Sequence, residues 1–179
     1  ITRDISKRKR AEGELRALHD INLAISSTLD RRVILEMLLE KIEVLLPYAA
    51  SHIQLWNDAT GTVDPVACRN LDEEQWQAGE ASSRHIVLRA ILRSKRHLVI
   101  ENLQTDERIS RRSSYRRHGL VSSLGMPLIV NDQAIGVLSL LTKERHEFTD
   151  REIRFVETLA KQASLAIYNS KLYQESRKL

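Results

Sequence analysis

Two apolar runs separated by a short polar pair dominate the pattern of the chain, between residues 119 and 141. Asn131-Asp132 lies between the runs, and these residues tolerate the left-handed backbone that a two-residue hairpin turn requires. Both runs are too apolar for a sheet with one wet face, so the pattern predicts a central β-hairpin that is covered on both sides. Pro127 predicts a bulge or a position that needs no N–H, and Gly136 predicts a bulge or a close backbone approach.

Helical periodicity precedes this hairpin. Asp30 is a candidate N-cap, Pro47 a stop signal, and the apolar positions between them recur at helical spacing at Val33, Leu35, Met37, Leu38, Leu39, Ile42, Leu45 and Leu46. An earlier series at spacings of three and four consists of Leu15, Leu18, Asn22, Ile25 and Leu29. This series indicates either a coiled-coil seam with one polar core position or an amphipathic helix that lies on its own domain.

Shorter elements are predicted between the first helices and the hairpin. Residues 50–57 and 62–69 read as two paired strands around a turn, and Pro65 favours an edge position for the second. Residues 84–93 read as a helix and residues 98–101 as a short strand. The segment 70–83 is polar, with Trp76 as its one large apolar residue.

The chain closes with a long amphipathic helix from about residue 150. Thr149 is a candidate N-cap, and Glu152 three residues later completes a capping-box pattern. One apolar stripe consists of Val156, Leu159, Ala160, Ala163 and Ile167, which we expect to pack on the sheet or the first helices. A second line at heptad spacing consists of Leu165, Leu172 and Leu179. This line indicates either a dimer seam or a fraying exposed helix.

The composition excludes several classes of function and of binding site. The chain has 179 residues, enough for one domain with flanking helices, and its net charge of +4 is too small to predict nucleic-acid binding. Its single cysteine, Cys68, excludes an internal disulfide and a multi-cysteine metal site, and the six histidines lack metal-ligand spacing. The apolar runs are too short to span a membrane. We find no H-E-x-x-H, G-x-x-x-x-G-K or G-x-S-x-G motif that would indicate an enzyme.

The hairpin resembles the signature of GAF domains. The matching positions are Gly119, Ser122, Pro127-Leu128, Gly136-Val137 and Leu138, in the order G-x-x-S-x-x-x-x-P-L and I-G-V-L, and the resemblance extends over residues 15–172. It implies an α/β (α+β) fold with a central antiparallel sheet of five or six strands. The terminal helices would pack on one face, and ligand-pocket loops with short helices would lie on the other.

The first 14 residues resemble the tail that closes a PAS domain and enters a linker helix. We therefore expect residues 1–14 to end a PAS domain, residues 15–172 to form the GAF domain, and residues 173–179 to begin a signalling helix. The chain opens with Ile1 rather than Met, which favours a fragment of a longer cytoplasmic sensor. The resemblance implies a histidine kinase or diguanylate cyclase as output.

The residues by which GAF domains bind several known ligands, or catalyse a reaction, are only partly present in this sequence. The family's cyclic-nucleotide pattern N-K…F-x-x-x-D-E is only half kept, with Lys143 and Phe148 present but Glu152-Ile153 in place of the acidic pair. Bilin attachment would require a cysteine near the pocket, whereas Cys68 lies on an early strand. Free methionine sulfoxide reductases of this fold rely on several cysteines. Haem-binding GAF domains with a single axial histidine exist, and by this resemblance His85 and His118 are the candidates for that ligand.

Two readings of the binding region stay open. Family members often carry a glycine-rich stretch where this chain has only Gly79. The densely basic residues 108–118 indicate either a lid whose arginines contact an anionic ligand or a solvated loop. The candidate pocket residues are Trp76, His85, Asn102, Tyr115, Arg116, Ser122 and Ser123.

The favoured hypothesis is a non-catalytic sensory GAF module. It would bind an unidentified small molecule, without a predicted metal or identified cofactor, and signal through the terminal helices of a homodimer. The alternative is a ligand-free dimerisation and relay spacer. An enzyme would require a constellation of residues that the sequence does not reveal.

Overall fold

The central hairpin is present in the computed structural model, which describes residues 2–27, 30–46, 48–81 and 83–178. The strands are β1 (Ala50–Asn57), β2 (Thr62–Arg69), β3 (Leu98–Ile100), β4 (Ser122–Val130) and β5 (Gln133–Thr142). The helices are α1 (Thr2–Ser27), α2 (Arg31–Leu45), α3 (Glu73–Ala81), α4 (Ile86–Ser94), α5 (Arg112–His118) and α6 (Asp150–Arg177).

The five strands form one antiparallel sheet in the order β2-β1-β5-β4-β3. Asn131 and Asp132 have φ values of 48° and 65°, which confirms the predicted tight turn of the β4–β5 hairpin. Pro127 lies beyond the part of β4 that pairs with β3, and next to a register shift at Leu128/Ile129. A side chain at Gly136 would overlap the carbonyl oxygen of Gln54, so the predicted close backbone approach is confirmed.

One face of the sheet is apolar and covered by α2 and α6. Its buried strand residues are Ile53, Leu55, Ala67, Leu124, Met126, Leu128, Leu138 and Leu140. The predicted stripe of α6 is confirmed, since Val156, Leu159 and Ala163 are fully buried against this face. This is the largest apolar cluster of the described residues, and its burial is the main contribution to stability.

The second apolar line of α6 faces away from this core. Leu165 is 56% exposed and Leu172 is 45% exposed, while Leu179 lies outside the described residues. In α1, Leu15 is 66% exposed, and the side chains of the other members of its series also lie outside the described part. α1 packs against α2 and α6, and Glu14 forms a 3.4 Å ion pair with Arg151.

Both predicted helix starts are confirmed. The Asp30 carboxylate accepts a hydrogen bond from Arg32 N, and the Thr149 hydroxyl accepts one from Glu152 N. Glu152 does not complete the reciprocal half of the capping box, because its carboxylate contacts His146 Nε2 at 2.8 Å. α2 ends at Leu45, and Pro47 lies outside the described residues.

Three short helices cover the other face of the sheet. α4 begins at Ile86 rather than Arg84, since His85 takes a left-handed φ of 52°. α3 was not predicted, because the polar segment 70–83 has little periodicity. α5 forms the second half of residues 108–118, for which the sequence indicated either a lid or a loop. No helix within the described ranges is long and apolar enough to cross a membrane.

Candidate functional site

The sheet face beneath the short helices carries a row of polar side chains. His52 and Gln54 of β1 alternate with Ile53 and Leu55 of the apolar face, so the two pairs point to opposite sides. His52 is 5% exposed and Gln54 is 4% exposed, and Ser123 of β4 is 8% exposed. Buried polar groups need hydrogen-bond partners. Two small apolar clusters lie on the same side of the sheet, one around Ile100 and Leu141 and one around Ile91 and Val137. Buried polar side chains between apolar walls are typical of a small-molecule site.

Two neighbouring cavities lie between this polar row and the short helices. The smaller has a volume of about 90 Å³ and the larger about 330 Å³. The two cavities share four lining residues, which are His52, Arg111, Tyr115 and Leu141. The larger volume is that of a small-molecule pocket. A third cleft of about 430 Å³ is more open and lies against Trp56 and Arg89, away from the polar row.

Glu80 of α3 lies at the centre of this region, with its side chain only 8% exposed. Its carboxylate accepts a 2.5 Å hydrogen bond from Gln54 Nε2 and a 3.0 Å hydrogen bond from Arg111 Nη1. His85 Nδ1 lies 3.5 Å from the same carboxylate. Three groups, from β1, from the residue before α4 and from the segment before α5, therefore meet on one buried acid.

Gly79 allows Arg111 to reach this acid. A side chain at residue 79 would overlap the Arg111 guanidinium group. Glycine inside a helix costs about 1 kcal/mol relative to alanine, so the position has a steric reason for its residue. The single glycine of this segment therefore makes room for Arg111.

His52 and Trp76 form an aromatic wall beside the larger cavity. Their ring centroids are 5.2 Å apart, and neither His52 Nδ1 nor Trp76 Nε1 has a hydrogen-bond partner. Burial lowers the pKa of His52 to about 4, opposed by the nearby carboxylate of Glu80. Burial also raises the pKa of Tyr115 to about 12. Both rings are consequently neutral at pH 7.

The candidate pocket residues separate into two groups. Trp76, His85, Tyr115 and Ser123 line one or both cavities. The other three, described next, do not line them.

Asn102 accepts a hydrogen bond from Gln104 N, and Arg116 donates one to the Gln104 carbonyl. Ser122 connects three segments, since its hydroxyl donates to the Glu101 carbonyl and accepts from His146 N. These side chains have structural partners outside the cavities. Whether any of the seven candidates binds a ligand stays a prediction.

The basic segment is neither a free lid nor a fully solvated loop. Arg108 pairs with Asp106 at 2.7 Å and lowers the pKa of that carboxyl group. Arg112 and Arg116 donate to backbone carbonyls, whereas Arg111 alone among these four reaches the buried acid.

Sequence reasoning missed Gln54, Glu80 and Arg111. The alternation of polar and apolar residues in β1 was a usable signal for His52 and Gln54. No local pattern connects Glu80 with Arg111, which lie 31 residues apart. Among the described residues, no group of three or more His, Cys, Asp or Glu side chains could hold a metal ion.

Comparisons with solved structures support the fold. The GAF domain of a phosphoenolpyruvate-protein phosphotransferase from Coxiella burnetii aligns with a TM-score of 0.77 and 18% identity, over 92% of this chain and 98% of that one. A domain of a two-component sensor histidine kinase protein from Sinorhizobium meliloti 1021 aligns with a TM-score of 0.67 and 25% identity, over 80% and 94% of the two chains.

An enzyme shares the fold as well. The free methionine-R-sulfoxide reductase from Neisseria meningitidis aligns with a TM-score of 0.71 and 13% identity, over 89% of this chain and 91% of that one. No curated protein matched the sequence significantly. The model of the GAF domain family matches residues 30–167. The chain therefore belongs to the GAF domain family, whose occurrence in sensor kinases supports a sensory signalling module.

Proposed function

We propose that this GAF domain binds a small molecule at the covered polar face and passes the signal through the terminal helices of a homodimer. In this proposal the domain is non-catalytic and works in the cytoplasm, between a PAS domain and an output domain. The observation that carries the proposal is the polar row under α3, α4 and α5, with cavities of about 90 and 330 Å³ beside it.

The sheet offers a short path from the site to the helices. Ser123 and Gly125 of β4 line the smaller cavity, while Leu124 and Met126 between and beyond them belong to the core that contains α6. A shift of β4 on ligand binding would therefore act directly on α6. A ligand changes the helix arrangement only if it binds the two arrangements with different affinity.

The dimer seam in this proposal uses the exposed line of α6. Leu165, Leu172 and Tyr173 are all exposed large hydrophobic residues on that helix. Exposed apolar residues at heptad spacing favour helix pairing. Replacement of both leucines by glutamate should convert a dimer to a monomer in light-scattering mass measurements. A wild-type domain of monomer mass would contradict this part of the proposal.

A thermal-shift screen tests the binding part. Nucleotides, amino acids, sugars and organic acids are compared on the wild type, on Ser123→Leu and on the control Ser113→Leu. Ser123 lines the smaller cavity, whereas Ser113 is exposed and does not line it. A ligand that occupies the smaller cavity should stabilise the wild type and the control but not Ser123→Leu, and a ligand confined to the larger cavity should stabilise all three proteins. A screen without any such compound counts against the proposal.

A ligand-free relay spacer is the second candidate. It is favoured by the way Glu80, Arg111 and Gln54 fill the region between the cavities with the protein's own side chains. A spacer would still form the dimer. It would show no saturable stabilisation by any compound, so the same screen separates the two functions.

A further inference from the structure

We propose that Glu80 is an internal ligand, and that the molecule sensed here is a small carboxylate that takes its place on Gln54, Arg111 and His85. The inference rests on the proposed function, because it assumes that a ligand enters this region. It adds the chemical class of that ligand and the contact that the ligand must break.

The groups around the Glu80 carboxylate form an anion receptor. Gln54 Nε2 and Arg111 Nη1 donate to its two oxygens at 2.5 and 3.0 Å, and His85 Nδ1 lies 3.5 Å away. Gln54 comes from β1, while His85 and Arg111 come from the segments directly before α4 and α5, and the acid comes from α3. Charge-assisted hydrogen bonds to a carboxylate are roughly twice as strong as neutral ones. A free carboxylate of suitable size would meet the same donors.

Charge balance selects an anion over neutral and cationic ligands. Arg111 is only 20% exposed, so removing Glu80 without a replacement would leave a nearly buried guanidinium unpaired. Arg108 is already paired with Asp106 and does not change this balance. A cationic ligand would face the donors of Gln54 and Arg111. An incoming anion keeps both the charge and the hydrogen bonds satisfied. A carboxylate also reproduces the two-oxygen geometry that Gln54 and Arg111 already bind.

The Glu80–Arg111 ion pair also lies where its opening would connect the two cavities. Arg111 belongs to the walls of both cavities, so the Glu80–Arg111 contact lies where the two spaces adjoin. Trp76 precedes Glu80 by four residues in α3 and therefore lies on the same side of the helix. Release of Glu80 would move Trp76 at the edge of the larger cavity. The fluorescence of Trp76 should report this event.

Chemical rescue tests the receptor directly. Glu80→Ala removes a CH₂–COO⁻ group, and acetate is the small molecule that replaces it. The melting temperature of E80A should fall by roughly 5–10 °C, as expected for loss of a buried ion pair in a domain of this length. Sodium acetate should restore it saturably, whereas sodium chloride at equal ionic strength and neutral acetamide should not.

Glu43→Ala is the matched control. Glu43 also accepts hydrogen bonds from an arginine and an amide, Arg69 and Asn70, but it lies at the surface, with a side chain 31% exposed. Acetate should have no specific effect on E43A. Equal responses of E80A and E43A, or no acetate-specific recovery of E80A, would overturn the proposal.

A second variant covers the case in which E80A does not fold. Glu80→Gln keeps the shape of the side chain but removes its negative charge, which weakens its interaction with Arg111. Acetate and propionate should therefore stabilise E80Q more than the wild type. In the wild type the tethered Glu80 competes at high effective concentration. With Trp56→Phe as background, propionate should also change Trp76 fluorescence at lower concentration in E80Q. Equal responses of E80Q and the wild type would refute the proposal.

These outcomes separate the inference from the proposed function. A screen that finds a neutral or cationic ligand excluded by S123L, together with failed acetate rescue, leaves the sensory function and removes the carboxylate. If acetate rescues E80A but no compound stabilises the wild type, the groups around Glu80 form a carboxylate receptor that Glu80 occupies permanently. That result contradicts the displacement of Glu80 by a ligand.

Discussion

Gly79→Ala tests the arrangement of Glu80 and Arg111 through the sign of a stability change. In an ordinary helix, Gly→Ala stabilises a protein by about 1 kcal/mol. Here the new methyl group would overlap the guanidinium of Arg111. The overlap involves the far end of a flexible side chain, so the helix can keep its place only if Arg111 moves. Such a move breaks the 3.0 Å hydrogen bond to Glu80.

The expected magnitude follows from these two opposing effects. Breaking a buried ion pair costs about 3–5 kcal/mol, and the 20% exposure of Arg111 places this pair near about 2–3 kcal/mol. The gain in helix propensity offsets about 1 kcal/mol of that loss. G79A should therefore lower the free energy of unfolding by about 1–2 kcal/mol.

Urea unfolding of four proteins measures the effect. The set consists of the wild type, G79A, R111A and the double variant. In the R111A background the guanidinium is absent, so G79A should become neutral or stabilising by up to about 1 kcal/mol. The coupling energy of this cycle should be about 1–3 kcal/mol. A stabilising G79A in the wild-type background, or a coupling near zero, would refute the reasoning.

Three further substitutions test separate parts of the structure. Because the pKa of His52 falls from 6.5 in the unfolded chain to about 4, stability should decrease as pH drops through this window, by about 2 kcal/mol at pH 5 relative to pH 7. Urea unfolding should find this loss reduced in His52→Gln, and an equal loss in both proteins would contradict it. Thr149→Ala should lower stability by about 1 kcal/mol by removing the acceptor of Glu152 N, with no change expected if the cap is absent. Gly136→Ala should lower stability by about 1–3 kcal/mol, because its methyl group meets the Gln54 backbone, and a neutral result in thermal unfolding would contradict this contact.

Much of the fold could be predicted because its signals are local. The Asn131-Asp132 turn, the Asp30 and Thr149 caps and the buried stripe of α6 each depend on residues a few positions apart. The edge position predicted from Pro65 is confirmed by the place of β2 in the sheet. Such patterns need no knowledge of distant contacts.

The two short helices α3 and α5 were missed for a physical reason. α3 covers the sheet through few residues, mainly Trp76 and Glu80, and one of these is charged. α5 has only seven residues and buries none of them fully. Helices of this kind are held by tertiary contacts rather than by an amphipathic pattern.

The site could be predicted only in part, because its centre is a long-range contact. Trp76, His85, Tyr115 and Ser123 were found by their position in the expected pocket region, and they do line the cavities. Arg116 was chosen from a basic run in which an earlier arginine, Arg111, proves to be the side chain that reaches the buried acid. The choice between arginines of one run depends on backbone geometry that the sequence pattern does not contain.

One measurement tests the central claim that the covered polar face is a small-molecule site. The ¹⁵N-labelled wild-type domain is titrated with compounds from the nucleotide, amino-acid and organic-acid classes, and backbone amide shifts are followed by NMR. The account predicts a compound whose saturable shifts cluster at Gln54, Glu80, Arg111 and Ser123 and extend into α6. If no compound shifts these residues, or if every response lies on the outer surface, the claim is contradicted.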